Sequence, residues 1–294
     1  VTEPDRALVA ASERVLATRA RSFRWGAVFL PRAARAEAAV VYAFCRLVDD
    51  LADDAPDVET AARALEAVRA ELVGDAPARP LIAAYGQICA ARGVGTGPAL
   101  DLLRGMQNDL RPVRVPDDAA LLDYCYCVAG TVGLMMCGVL GVTAPAASGP
   151  AIALGQAMQL TNICRDVAED AGLGRVYLPA ARLAARGVTP DEVLAGTADR
   201  RAVAAVVADL LALADARYQA AEAGMHHIPA RARVAILVAA RLYRAIGARI
   251  ARQSYDPWRG RAVVPWTTKL LLVGRALLDV PSIRPAGHVE GMTT

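Results

Sequence analysis

The chain of 294 residues carries 33 lysines and arginines against 30 aspartates and glutamates, a net charge of +3. So even a balance excludes the basic footprint of a nucleic-acid-binding domain. Hydrophobic residues make up 55% and aromatic ones only 5%, which favours helices in close contact through small side chains over a β-sandwich.

The first residues, VTEPDRALVAASERV, carry acids and lack an apolar core, so no signal peptide is expected there. Beyond them, apolar residues at three- and four-residue spacing predict helices over 35–51, 60–72, 118–140, 151–171 and 200–223. Pro190, followed by Asp191 and Glu192, marks a further helix start. Proline- and glycine-rich punctuation separates these segments, and strictly alternating β-branched runs are missing. The expectation is an all-α single domain over residues 1–280. A frayed tail over 281–294 is marked by Pro281 and Pro285.

Between Tyr124 and Cys164 there is no charged residue. That run is long enough to span a bilayer, but Gly130, Gly133, Gly138, Gly141, Pro145 and Pro150 interrupt it. Two buried core helices joined by a loop at VTAPAASGP account for it better. The mean hydropathy of +0.30 is high and leaves open a loose attachment to the inner face of a membrane.

Two acidic motifs stand out. In AVVYAFCRLVDDLADD, Asp49 and Asp53 are four apart, so on a helix they share one face. In QAMQLTNICRDVAED, Asn162, Asp166 and Asp170 repeat the device with Gln159 close to the same stripe. Each motif sits on an apolar helix, where like charges at this spacing call for positive compensation. Arg46 and Arg165, each just ahead of its aspartates, are placed to supply it. An acidic run alone is usually a solvated helix end, but two on apolar helices, each preceded by Cys-Arg, are hard to read that way.

The donors are hard oxygens. Cys45, Cys89, Cys125, Cys127, Cys137 and Cys164 fit no zinc spacing, and His226, His227 and His288 lie far from them. The cysteines are expected to be free in a reducing cytoplasm. Oxygen donors select Mg2+, or Mn2+, and Mg2+ is characteristically completed by substrate phosphates. Lys269 is the only lysine, so an anion site here must be built from arginines.

At this point the chain resembles the squalene/phytoene synthase family of head-to-head isoprenoid condensing enzymes. The matching segments are ARSF (20–23), YAFCRLVDDLAD (42–53), GMQNDL (105–110), YCYCVAGTVGLM (124–135), QLTNICRDVAEDAGLGRVYLP (159–179), and YRAIG followed by YDPWRGRAVVPWTTKL (243–270). They keep the family's order over nearly the whole chain. Two mild departures are DDLAD in place of the commoner DELVD, and Cys127 where arginine or glycine is usual.

The resemblance implies an isoprenoid-synthase fold with a central cavity, metal ligation by Asp49, Asp53, Asp109, Asn162, Asp166 and Asp170, and catalytic roles for the four motif aspartates, Tyr124 and Arg46. It places Arg21, Ser22, Phe23, Arg46, Arg165, Arg175 and Arg261 against the substrates, with Lys269 in a matching stretch. Tyr124, Val128, Val132, Gly133, Gln159, Asn162 and Tyr243 are implied to contact the chains or line the cavity.

The implied reaction joins two prenyl diphosphates through a cyclopropyl diphosphate, giving phytoene from geranylgeranyl diphosphate. Squalene or dehydrosqualene from farnesyl diphosphate stays open, and only squalene needs NADPH. A non-catalytic assembly factor of this fold, which would be marked by missing aspartates, is the alternative of another class. Oligomeric state is not legible.

Overall fold

The computed structural model describes residues 5–19 and 26–280. Thirteen α-helices organise them, here numbered α1 to α13, with short 3-10 turns at three of the connections. Among the described residues no β-strand forms. A single parallel bridge joins Arg114 to Val176.

α1 (Arg6–Arg19) packs on α2 (Arg32–Asp53), whose Val40, Val41, Phe44 and Val48 are fully buried. α3 (Val58–Val73) begins at Asp57, whose carboxylate accepts the Thr60 N–H at 2.7 Å, and stops at Gly74, φ +87°. Both ends follow ordinary capping chemistry. α4 (Pro80–Arg92) and α5 (Gly97–Asp109) complete one apolar cluster with α2 and α12 (Ala230–Arg252). A second cluster gathers α8 (Ser148–Gly172), α11 (Arg200–Glu222) and the short α9 (Ala180–Ala184) and α10 (Pro190–Ala195). α10 starts on a capping box between Thr189 and Glu192. α13 (Trp266–Asp279) lies outside, against α12.

The helix expected over 118–140 is present but not uniform. α6 (Asp118–Cys125) runs into a π-helical turn, Tyr126–Gly130, before α7 (Thr131–Val139) resumes. Thr131 Oγ1 donates to the Cys127 carbonyl at 2.7 Å within that turn. α8 begins at Ser148, earlier than expected and inside the predicted loop, because Pro150 falls in the first turn, where no intrahelical N–H is needed.

The glycines of the uncharged run have a definite use. A Cβ on Gly155 would strike the Ala129 carbonyl, and one on Gly133 would strike that of Ala151. α7 and α8 therefore meet backbone to backbone, which explains why an apolar run long enough to cross a membrane by composition is so poor in large side chains. All six cysteines are free. Residues 281–294, the expected tail, lie outside the described residues.

Candidate active site

The C-terminal end of α2 carries the first acidic motif. Arg46, one turn ahead, forms ion pairs with both Asp49 and Asp50. On α8 the predicted stripe is realised: Asn162 Nδ2 donates to Gln159 Oε1 at 3.2 Å, and Arg165 grips Asp166 through Nε, 2.8 Å from Oδ1, and through its Nη2. Arg261, from the segment after α12, reaches Asp166 at 3.3 Å and Glu169 at 2.9 Å.

Two further elements close the ring. Asp109, the last residue of α5, accepts hydrogen bonds from the Tyr124 and Tyr177 hydroxyls, each at 2.9 Å. The two rings stack with centroids 4.7 Å apart. Arg175 follows α8 and donates to Asp53 at 2.9 Å, so it ties the second motif's segment to the first motif. That segment is fixed by the Val176 N–H bonding to Val113 O at 3.1 Å.

The carboxylates sense one another. Burial pushes Asp170 up to about 7, with the like charge of Asp166 next and Arg175 opposing. Asp109 is raised to about 6 by burial, against the hydrogen bonds of both tyrosines. Asp49 is raised for the same first reason, with Asp53 and Asp50 adding to it and Arg46 and Arg175 opposing. Arg175 thus acts on Asp49, Asp53, Asp109 and Asp170 together. Excess negative charge in a partly buried site is what a cation or a cationic side chain relieves.

Below these groups lies an apolar chamber of about 410 Å³, inside the range of ligand pockets. Arg46, Asp49, Asn162, Gln159 and Tyr243 form its mouth. Val128, Val132, Gly133 and Leu154 line its wall, and Tyr42 and Cys45 add a side from α2. Along α8 the lining runs from Asn162 to Pro150, roughly 18 Å of helix rise. Leu140, Val142 and Ala147 of the α7–α8 connection, with Met225 and Ile228 between α11 and α12, close the far end.

Most expected residues converge here, with differences. Val128, Val132, Gly133, Gln159, Asn162 and Tyr243 line the chamber. Tyr124 does not; its ring is engaged by Tyr177 and its hydroxyl by Asp109, because it precedes the π turn and faces the end of α5. Among the described residues no three of the carboxylates form one compact ligand cluster. Like charges spread apart, and the arginines occupy them instead. Arg21, Ser22 and Phe23 lie outside the described residues. Sequence reasoning assigned no role to Tyr177, although it sits inside GRVYLP two residues after Arg175, nor to Asp50, Glu169 and Tyr42.

An all-helical shell around a long apolar chamber, with two carboxylate faces and their arginines at one end, defines an isoprenoid synthase, built to hold an anionic head above a hydrocarbon tail. The family model for squalene/phytoene synthase matches residues 16–268. A phytoene synthase of Thermus thermophilus is 38% identical, covering 94% of this chain and 93% of its own. A 15-cis-phytoene synthase of Enterobacter agglomerans is 34% identical, over 91% and 94%. Among solved structures, a dehydrosqualene synthase in complex with a ligand superposes with a TM-score of 0.84 at 28% identity, covering 95% of this chain and 98% of that one. The chain belongs to the squalene/phytoene synthase family, and it is a prenyltransferase.

Proposed function

We propose that the protein condenses two molecules of geranylgeranyl diphosphate head to head, 1-1′, into phytoene through a cyclopropyl diphosphate, as a step of carotenoid biosynthesis. The observation that carries this reading is that Arg175 joins the two acidic faces, and that both faces reach an apolar chamber, through Arg46 and Asp49 on one side and Gln159 and Asn162 on the other. Relatives named phytoene synthase, at 31% to 38% identity over most of the chain, support the choice of product.

The donor set fits a divalent cation. Asp49 and Asp53 on α2, Asn162, Asp166 and Asp170 on α8, and Asp109 on α5 offer only oxygen, and burial already strains the charge of Asp49, Asp109 and Asp170. These residues would hold Mg2+ or Mn2+, which when bound supplies positive charge to the diphosphate oxygens. Arg46, Arg165, Arg175 and Arg261 stand beside the same carboxylates and are free to turn toward a diphosphate that brings its own counter-ions. Tyr124 and Tyr177 hold Asp109 in place. Val128, Val132 and Gly133 exclude water from the allylic cation left when the first diphosphate departs, and Gln159, Asn162 and Tyr243 orient the chain at the neck.

No reductant enters a reaction that ends by proton loss, so NADPH is not needed. Residues 1–280 form the catalytic unit, working in the cytoplasm at the inner face of a membrane. All the metal-motif positions are occupied, which separates the chain from a non-catalytic relative. Incubation with geranylgeranyl or farnesyl diphosphate, each with and without NADPH, should give phytoene from the first alone. A hydrocarbon formed only from farnesyl diphosphate would overturn the assignment of the substrate.

A further inference from the structure

Ten large hydrophobic residues are exposed among the described residues, and six of them fall in one short stretch: Val263, Trp266, Leu270, Leu271, Leu277 and Leu278. Five of these lie on α13. At 100° per residue, Trp266, Leu277, Leu270, Leu278 and Leu271 sweep one continuous face together with Thr267 and Gly274. Trp266 is 67% exposed and Leu278 78%. The opposite side meets the protein: Ala276 is fully buried, Leu272 and Val273 pack against the core, and Asp279 is tied to Arg241 of α12 at 2.6 Å.

We propose that α13 lays the protein on an anionic lipid surface, with this face as the contact. Scattered exposed apolar residues need no explanation, but a contiguous helical face does. The charge of the helix selects the occupant. Arg275 borders the apolar face and forms no ion pair among the described residues, Lys269 lies on the inner side between Ala276 and Val273, and the helix's one acid is turned inward to Arg241. A leucine- and tryptophan-bearing face bordered by an arginine, with no acid on it, matches the interfacial zone of an anionic bilayer. A second copy would offer Arg275 no acid on the same face. The segment that follows, PSIRPAGHVEGMTT, has too few large apolar residues to cover it.

The placement is suited to lipid substrates. α13 packs on one side of α12, and the other side of α12 contributes Ile236, Ala239 and Tyr243 to the chamber. A single helix therefore separates the lipid-facing surface from the chamber. The docking itself does not depend on which prenyl diphosphate is used.

The test is co-sedimentation of the full chain, without substrate, with vesicles of phosphatidylcholine plus phosphatidylglycerol or of phosphatidylcholine alone. The wild type should sediment with the anionic vesicles. The double variant Leu271→Ser/Leu278→Ser should bind at least about tenfold more weakly. Arg275→Gln should weaken binding only where phosphatidylglycerol is present. All the altered side chains lie away from the chamber, so thermal midpoints and detergent-solubilised turnover should match the wild type, which keeps a loss of binding distinct from misfolding or a wrong substrate. Wild type that stays in the supernatant with both vesicles overturns the proposal. So does a leucine variant that binds like wild type, or a wild-type dimer that this variant splits into monomers.

Discussion

The two ends of the chamber are built on opposite principles. Charge crowds at and beyond the mouth: Asp49 and Arg46 line it, and Asp53, Asp109, Asp166 and Asp170 with Arg165, Arg175 and Arg261 stand past it. Its geometry is set by ion pairs that a diphosphate and its cations can exchange. The far end, formed by Leu140, Val142, Ala147, Met225 and Ile228, has no polar partner to offer and can discriminate only by shape. On the proposed function, chemistry would be concentrated at one end and chain-length selection at the other, so substitutions at the two ends should fail in different ways.

The largest effect is expected at the mouth. Asp49→Ala or Asp166→Ala should lower kcat by about a thousandfold or more. Circular dichroism and thermal melting should show a folded protein, because each change also relieves like-charge repulsion. Chelation of divalent cations should silence the wild type in the same assay. Arg175→Ala comes next, at about a hundredfold. It removes the one cation acting on four carboxylates, so the acidic limb of the pH–rate profile should move to higher pH.

At the other end, Ala147→Phe should leave ionisation intact and shorten the chamber. The ratio of geranylgeranyl to farnesyl diphosphate turnover should fall by about tenfold, read by product analysis of mixed-substrate incubations. An equal loss on both substrates would show that the far end does not measure chain length.

A smaller effect concerns protons. Asp170 is held near 7 by burial and by Asp166, above its value in an unfolded chain. The native state therefore binds more protons than the unfolded one, and this group favours folding at low pH and ceases to as pH rises through about 7. Without divalent cations the thermal midpoint should decline between about pH 4 and pH 7. Mg2+ should restore it more at the alkaline side, since the ionised carboxylate is the ligand. A Mg2+-induced shift that is equal at pH values on either side of 7 would contradict this. The smallest change is Tyr177→Phe, which deletes one of two hydrogen bonds lowering Asp109. A several-fold loss of activity with a modest alkaline shift is expected.

Much of this was legible in the chain. The four-residue spacing of Asp49 and Asp53, and of Asn162, Asp166 and Asp170, put oxygen donors on single helix faces, and the structure keeps them there. The helix expected at 35–51 is α2 within a few residues. The one expected at 118–140 is present, but its π turn is not visible in periodicity, because one extra residue per turn leaves an apolar run equally apolar. Tyr124 was expected against the chains and is found against Asp109. Side-chain direction at a helix irregularity depends on the neighbouring helix, which the local sequence does not name.

The sequence by itself determined the kind of site: oxygen ligands in two helical stripes, arginine as nearly all of the available counter-charge, and small residues where two helices must meet. These follow from helix periodicity and residue chemistry, which are local. Only the tertiary structure decided that Arg175 links the two stripes, that Tyr177 and Tyr124 share Asp109, that the chamber ends at two separate inter-helix connections, and that α13 leaves an apolar face outward. Each of those joins residues remote in the chain, and such contacts are set by how whole helices pack.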